Sequence, residues 1–277
     1  MTPAAERPYA AEPVQPPLLR LAALPRATLI SLLTCVVLFV AWWLAARVAM
    51  VSPVFLPSPQ AVAAKAVQIW NEGYVDASLG AHLLASLQRI VGAFLLGIAV
   101  GVPVGLAMGL TTVGRGIFDP IAELIRPIPP LAYLPLVVIW CGIGEGSKIL
   151  VMAIAMFAPI ALTTAAAVAG VAPHRIDAAR SLGASRLQTL LLVVLPSALP
   201  EILVGARIAL GVGCSTLVAA ELVAATRGLG FMIQSAANFL QTEVVIVGIL
   251  VIAAVAFALD GLLRLLERLL TPWRGRM

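Results

Sequence analysis

The sequence predicts an all-α polytopic membrane protein with six transmembrane helices. Hydrophobic residues account for 61% of its 277 residues, charged residues account for 11%, and the mean hydropathy is +1.05. In soluble globular domains the charged share is about a quarter. The apolar residues also fall into runs of about 20 or more, and a helix of that length crosses a hydrocarbon core of about 30 Å. The chain is therefore expected to lie mainly in lipid.

Polar tails are expected at both ends of the chain. Residues 1–26 contain six prolines among alanine, glutamate and arginine, which is typical of a disordered segment, and residues 272–277 form a short basic tail. Residues 27–271 are interpreted as the transmembrane domain between them. Its first span, residues 27–46, carries no charge, and the two tryptophans and Arg47 at its end are residue types that anchor helices at a membrane interface.

The second span, residues 90–114, is uncharged and follows Arg89, which is placed at the membrane interface. Four of its glycines recur at intervals of four: Gly97, Gly101, Gly105 and Gly109. Small residues at this spacing let a neighbouring helix approach closely, and packing rather than hydrophobicity drives helix association in lipid. We therefore expect this face of the span to pack against another helix.

The third span, residues 118–144, is predicted to be broken, because it contains Pro127, Pro129, Pro130 and Pro135. The backbone groups freed by such a break are tolerated in a membrane only where protein or a water-filled cavity covers them. A broken helix beside a substrate path is the functional interpretation. Glu123 and Arg126 are three residues apart and can pair on one helix face. A position of both at the cytoplasmic interface is equally compatible with the sequence.

Three further spans complete the domain: residues 149–173, 201–224 and 244–266. In the fifth span Ser215 and Thr216 lie near the middle and Glu221 lies near the end. Small and polar residues at mid-membrane indicate either a helix that lines a water-filled path or a helix–helix seam, and both interpretations stay open. In the sixth span Asp260 and Arg264 have the spacing of an i, i+4 ion pair.

Residues 173–196, between the fourth and fifth spans, are predicted to form a helical elbow in water. Pro173 suits the first turn of a helix, where its missing N–H costs nothing, and Gly183 suits a left-handed C-terminal cap. Ser185 and Gln188 then have the spacing of a capping box, so a second helix is expected to begin there and to run to the next proline. On these local signals an ordinary surface hairpin is the alternative.

The elbow also carries a spaced motif, which consists of Asp177-Ala178-Ala179, Gly183, Val193 and Leu195-Pro196. This motif resembles the cytoplasmic EAA loop of the permease subunits of binding-protein-dependent ABC importers, with Asp177 in place of the usual Glu and Val193 in place of the usual Ile. The runs FLPSPQAV, RPIPPLAYLPLVVIWCGIGEGSKIL and SLGASRLQTLLLVVLPSALPEIL are similar to the nitrate, aliphatic sulfonate and taurine permeases of that family. The runs GCSTLVAAELVAATRGLGFMIQSA and LTPWRG are most similar to its taurine branch.

This resemblance implies the type I ABC importer permease fold and the import of taurine, or a related small sulfonate, from periplasm to cytoplasm. A permease for aliphatic sulfonates or nitrate is the alternative. Besides the lipid bilayer, the implied partners are a second copy of this chain, a cytoplasmic ABC ATPase dimer and a periplasmic substrate-binding protein. ATP and Mg²⁺ would bind to the ATPase, so no cofactor and no catalytic residue is expected here. The chain is expected to be a multi-pass transporter subunit of the bacterial inner membrane, not an enzyme.

Two sets of residues are expected to serve transport. The set that couples the permease to the ATPase lies in the elbow and consists of Asp177, Ala178, Ala179, Arg180, Ser181, Leu182, Gly183, Ala184, Ser185, Leu195 and Pro196. The set expected along the translocation path consists of Glu123, Arg126, Pro130, Trp140, Ser215, Thr216 and Glu221.

Other observations weigh against further classes of protein. Basic residues cluster at the ends of apolar runs, which predicts that both termini are cytoplasmic and argues against nucleic-acid binding. The three cysteines are odd in number and lie in apolar runs, so neither a disulfide nor a metal site is expected. Lys148 does not directly follow a glycine, so the segment before it is not a nucleotide-binding Walker A loop. A secondary carrier, the more distant alternative, would show two related halves, and none are visible.

Overall fold

The computed structural model describes residues 26–48, 52–222 and 225–273. Regular structure in these residues is helical, apart from one isolated β-bridge between Tyr74 and Ala77. The two predicted tails lie almost entirely outside the described residues. The chain divides into two compact units, residues 1–59 and residues 60–277.

The helices in the described residues account for the expected spans. In chain order they are α1 Arg26–Arg47, α2 Pro59–Glu72, α3 Leu79–Leu110, α4 Thr112–Ile125, α5 Pro130–Cys141, α6 Glu145–Ala169, α7 Pro173–Ser181, α8 Arg186–Thr189, α9 Leu195–Leu222, α10 Leu229–Asn238 and α11 Thr242–Leu270, with a π-helical turn, Leu190–Val194, between α8 and α9. Five helical segments are long and apolar enough to cross a membrane. The helices α4 and α5 meet at 107° and add a sixth span if they are taken together, which agrees with the predicted break in the third span.

The first unit contains α1, whose residues Thr28–Arg47 form a candidate membrane span. Near its end, the indole N–H of Trp42 donates a hydrogen bond of 3.1 Å to the carbonyl oxygen of Pro57. The guanidinium carbon of Arg47 lies 4.9 Å from the ring centroid of Trp43, which is a cation–π contact. These contacts fix the end of the span at which the sequence predicts interfacial anchors.

The core of the second unit is a seam between α3 and α6, which run parallel. The four glycines spaced by four residues on α3 all face α6. A Cβ atom on Gly105 would lie 2.5 Å from the carbonyl oxygen of Ala161 and 2.5 Å from the Cβ of Thr164, and one on Gly109 would lie 2.7 Å from the Cβ of Val168. Only glycine allows the two backbones to approach this closely, so the predicted packing role of this face is confirmed.

The boundaries of α3 differ from those predicted for the second span. The helix begins at residue 79 rather than 90, because Ser78 caps it by accepting a hydrogen bond of 3.2 Å from the N–H of Ala81. It ends at residue 110 rather than 114, because Thr111 caps α4 through a 2.8 Å bond from the N–H of Gly114. Arg89 therefore lies inside a helix, and its side chain is buried within the bundle.

α9 also packs against α6, runs antiparallel to it, and contacts α3 in the same core cluster. A Cβ on Gly205 would meet Thr163, and one on Gly213 would meet Met156, which lies earlier in α6. We call the end of the bundle where α6 leads into α7 the elbow end. The opposite end, where α3 and α6 begin and α9 ends, is the distal end.

The helix that follows the elbow does not stop at Pro196, and the prediction that it would was wrong. Arg186–Leu222 form one helical segment of 37 residues. A proline normally disrupts a helix because it lacks an N–H and its ring crowds the carbonyl group four residues earlier. Here the π-helical turn lies directly before Pro196, and the N–H of Leu195 bonds to the carbonyl oxygen of Leu190. The wider turn lets the helix continue past the proline, so the elbow is continuous with α9.

Candidate functional site

The elbow between α6 and α9 is closed by caps that the sequence predicts. Pro173 occupies the first turn of α7, and Gly183 ends the helix with a left-handed φ of +84°. The N–H of Gly183 donates to the carbonyl oxygen of Arg180 at 2.9 Å, and the N–H of Ala184 donates to that of Ala179 at 3.1 Å. These two bonds are the Schellman pattern, which satisfies carbonyl groups that the helix end leaves unpaired.

A capping box starts the second arm of the elbow. The N–H of Gln188 donates to the hydroxyl oxygen of Ser185 at 3.3 Å, and the N–H of Ser185 donates to the side-chain oxygen of Gln188 at 2.8 Å. Two N–H groups of the helix start are thereby satisfied by side chains of the elbow itself. The elbow therefore holds its shape through its own hydrogen bonds.

Most of the elbow surface is open. No residue of α7 is buried, and Leu182, which precedes the glycine cap, is 90% exposed. Among the described residues, the charged side chains of Asp177 and Arg180 have no ion-pair partner. The expected coupling residues divide into exposed ones, Asp177, Ala178, Arg180, Ser181, Leu182, Gly183 and Ser185, and half-buried ones, Ala179, Ala184, Leu195 and Pro196.

A cavity of about 500 Å³ lies beside the bend between α4 and α5. Its walls come from the bend itself, from α5, from α6 and from α9: Ile125, Arg126, Ile128, Pro130, Tyr133, Ala155, Ala158, Pro159, Leu162, Thr163, Ala166, Ile208 and Val212. Two of the expected path residues, Arg126 and Pro130, are among them. A carboxylate oxygen of Glu123 lies 3.8 Å from the Arg126 guanidinium, and both side chains are more than half exposed. The predicted pairing of these two residues is therefore present.

The other expected path residues do not line this cavity. Trp140, near the end of α5, is 72% exposed. Ser215 is exposed on α9, and its hydroxyl donates to the carbonyl oxygen of Gly211 at 3.1 Å. Thr216 and Glu221 are buried inside the helix bundle. Arg126 and Pro130 therefore line one cavity, and Glu123 lies beside Arg126. Trp140 and Ser215 are exposed outside the cavity wall, whereas Thr216 and Glu221 are buried.

Sequence reasoning missed a group of four charges at the distal end, three of which are buried. We call Arg89, Glu145, Lys148 and Glu221 the distal charge cluster. The Arg89 guanidinium bonds both oxygens of Glu145 with its Nε and Nη2 atoms, and its Nη1 atom lies 2.6 Å from an oxygen of Glu221. Lys148 adds a 2.9 Å bond to Glu145. The side chains of Arg89 and Lys148 are at most 5% exposed and that of Glu221 is fully buried, so these three charges are neutralised away from water, whereas Glu145 is 59% exposed.

The distal charge cluster also fixes the segment that leads into α10. Glu221 accepts hydrogen bonds from the hydroxyl of Ser86 at 2.8 Å and from the N–H of Gly230 at 2.7 Å. Ser86 in turn accepts from the N–H of Leu229 at 2.8 Å, and Arg89 donates to the carbonyl oxygen of Arg227. The sequence does show opposite charges on separate apolar spans, which could have indicated such a cluster. The spacing of these residues along the chain does not indicate which of them pair.

Sequence comparison finds relatives over most of the chain. Residues 97–272 match the family model described as binding-protein-dependent transport system inner membrane component. The chain is 57% identical over 255 residues to the taurine transport system permease protein of Escherichia coli strain K12, covering 92% of this chain and 93% of that protein. It is 36% identical over 245 residues to the putative aliphatic sulfonates transport permease protein of Bacillus subtilis strain 168, covering 88% and 87%. It is 31% identical over 222 residues to the nitrate import permease protein of Synechocystis, covering 78% and 81%.

Solved structures share the fold at low sequence identity. The methionine ABC transporter MetNI in an inward-facing conformation aligns with a TM-score of 0.54 at 23% identity, covering 66% of this chain and 93% of that one. An amino acid ABC transporter crystallised with histidines aligns with a TM-score of 0.56 at 20% identity, covering 76% and 96%. The fold is the type I ABC importer permease fold that the sequence predicts.

Proposed function

Since the chain belongs to the family of binding-protein-dependent transport system inner membrane components, we propose that it is the permease subunit of an ABC importer for taurine or a related small sulfonate. The observation that carries the proposal is the identity over nearly the whole chain to a taurine permease, which exceeds the identity to the sulfonate and nitrate permeases. The chain is a transporter subunit, and ATP hydrolysis is assigned to a separate ATPase that binds ATP and Mg²⁺.

The elbow is the surface proposed to dock with that ATPase. Its caps hold it in one shape, and the exposed Leu182, Asp177 and Arg180 offer one apolar and two charged contacts. A rigid element of small, apolar and charged residues suits a cleft of another protein, because little conformational freedom is lost on docking. The continuous helix from α8 into α9 then joins the docking surface to a wall of the cavity.

The proposed assembly contains two copies of this chain. We assign both termini and the elbow to the cytoplasm from the distribution of basic residues, which places the distal end in the periplasm, where the binding protein would deliver the substrate. The two copies are proposed to meet along the faces of α5 and α9 that have no cover within the chain. Ile139 is 76% exposed, Ile208 is 55% exposed, and no atom lies within 4 Å of a Cβ built on Gly211.

The cavity beside the α4–α5 bend is the proposed path. We retain Glu123, Arg126, Pro130, Trp140 and Ser215 as path residues because they line the cavity, neighbour it or lie on the exposed faces. For Thr216 and Glu221 we propose instead a structural role in the packing of α9, because both are buried within the chain.

The test is ATP hydrolysis by the permease reconstituted in liposomes with its ATPase. Binding protein loaded with taurine should stimulate hydrolysis, and binding protein incubated with nitrate should not. Stimulation by a longer alkyl sulfonate but not by taurine would move the substrate assignment to aliphatic sulfonates. Failure of the chain to co-purify with any ATPase would contradict the importer assignment and favour a stand-alone carrier.

A further inference from the structure

The path cavity has a single charged residue in its wall among the described residues, and that residue is Arg126. We propose that the Arg126 guanidinium is a transient binding site for the sulfonate group of the substrate inside the permease. This inference rests on the proposed function, since it names a ligand for the cavity of that transporter. The argument uses the depth of the residue, its free donors and the chemistry of the ligand.

The depth of the cavity follows from the helices that line it. Pro159, in the cavity wall, is the fifteenth of the 25 residues of α6, so it lies about 21 Å along a helix about 37 Å long. Ile208 lies 14 residues before the end of α9, which is also about 21 Å from the distal end. Both estimates place this part of the cavity wall between the two ends of the helix bundle, away from either end. An arginine at such a depth is costly unless it faces protein or water.

Arg126 is held at this depth by backbone geometry rather than by a tight ion pair. It follows α4 directly, and its N–H bonds to the carbonyl oxygen of Ala122 at 3.1 Å. Its side chain is 65% exposed, and the only carboxylate within 4 Å among the described residues belongs to Glu123, at 3.8 Å. That distance is too long for a hydrogen bond. The five N–H donors of the guanidinium are therefore available for another acceptor.

Arg89, in contrast, is an arginine whose guanidinium is already bonded to carboxylates of the same chain. It is buried, bonds both oxygens of Glu145 and also bonds Glu221. Arg126 has none of these bonds, although both residues lie within apolar spans. The difference is that Arg126 faces a cavity of about 500 Å³, a volume within the range of small-molecule sites.

A sulfonate group matches these properties. It carries one negative charge at physiological pH and three oxygen acceptors, and a planar guanidinium can bond two of them at once. The rest of the cavity wall is mostly apolar, with the hydroxyls of Tyr133 and Thr163 as its other polar side-chain groups. Because the Arg126 side chain is 65% exposed, we expect its ion pair with an anion to be weak, which suits a site that the substrate must also leave.

The experiment compares Arg126→Gln, Arg126→Lys and the control Arg115→Gln in the complete importer in liposomes. Arg115 is an exposed arginine at the start of α4 and does not line the cavity. Uptake of labelled taurine and ATP hydrolysis are measured together with loaded binding protein. For Arg126→Gln we expect stimulated hydrolysis to persist while taurine uptake per ATP falls about tenfold to a hundredfold. Arg126→Lys should recover part of the uptake, and the control should behave like the wild type.

Two results would overturn the inference. Wild-type uptake by Arg126→Gln would show that the cation is not needed during passage. Loss of stimulated hydrolysis together with uptake would show that Arg126 supports folding or coupling instead of binding the substrate. Neither result contradicts the proposed function, which is tested separately by whether taurine-loaded binding protein stimulates ATP hydrolysis in the wild-type importer.

Discussion

The distal charge cluster and the elbow both contain charged residues of one membrane protein, yet their partners lie in different places. Glu221 is fully buried and receives bonds from Arg89, Ser86 and Gly230, all within the chain. Asp177 is exposed and has no ion pair among the described residues. Buried charges must be compensated internally because water cannot reach them, whereas exposed ones are free for another molecule. The cluster therefore holds the bundle together, and the elbow is available for docking.

The largest expected effect comes from breaking the cluster. Arg89→Gln leaves the carboxylates of Glu145 and Glu221 without their shared cation, and removal of one partner of a buried pair costs about 3–5 kcal/mol of unfolding free energy. We expect a large fall in the unfolding temperature in detergent and loss of taurine uptake. Arg115→Gln is the control, because that residue is exposed. A wild-type unfolding temperature for Arg89→Gln would mean that the cluster does not stabilise the bundle.

Two glycine substitutions test the buried interior of the bundle, at the seam between α3 and α6, without changing any charge. In Gly105→Ala the new methyl group would lie 2.5 Å from two atoms of α6, so α3 and α6 must separate. Overpacking of this kind costs about 1–3 kcal/mol. Gly116→Ala is the matched control, because no atom lies within 4 Å of its Cβ position. Thermal unfolding in detergent should be lowered only by the first change, and equal unfolding temperatures would contradict the tight seam.

The elbow should respond in the opposite way, with loss of coupling and little loss of stability. At Gly183 no atom of this chain lies within 4 Å of a built Cβ, so strain comes only from the positive φ and amounts to about 1–2 kcal/mol locally. Gly183→Asp should leave membrane insertion intact and lower the unfolding temperature only by the few degrees that this strain implies, while binding-protein-stimulated hydrolysis and uptake are lost. Gly183→Asn tolerates the same backbone without the charge and should retain more activity. Normal uptake by Gly183→Asp would count against ATPase docking at the elbow.

The smallest effect is expected from an exposed ion pair. The Arg264 guanidinium lies 2.7 Å from Asp260 at i, i+4 spacing, as the sequence predicts, and the Arg264 side chain is 59% exposed. Exposed pairs of this kind contribute about 0.2–1 kcal/mol. Arg264→Gln should therefore shift the unfolding temperature by no more than the experimental scatter. A fall as large as that of Arg89→Gln would show that exposure does not separate structural charges from free ones in this protein.

The same comparison explains what the sequence could predict. The elbow was predictable because its caps join residues three to five positions apart, so Gly183 and Ser185 carry the information locally. The glycine face of α3 was predictable because its spacing matches one side of a helix. The distal charge cluster was not, because Arg89 bonds residues 56 and 132 positions away, and only the folded bundle brings them together.

The error at Pro196 has a different cause. Proline usually ends or bends a helix, and nothing in the spacing of the neighbouring leucines indicates a wider turn. The helix continues because the backbone forms an i, i−5 bond between Leu195 and Leu190 just before the proline. The cavity was predicted only in outline, because proline content indicates a break but does not give the angle between α4 and α5.

The π-helical turn at Leu190–Val194 also sets the direction in which the elbow points. Each residue of an α-helix turns the chain by about 100° about the axis, and a π-helical turn holds one residue more than an α-helical one. The elbow is therefore rotated by about one residue step relative to the cavity wall, compared with an uninterrupted helix. The direction of the elbow thus depends on the number of residues in this turn. Adding or removing one residue there would rotate the docking surface relative to the path, whichever side chain that residue carried.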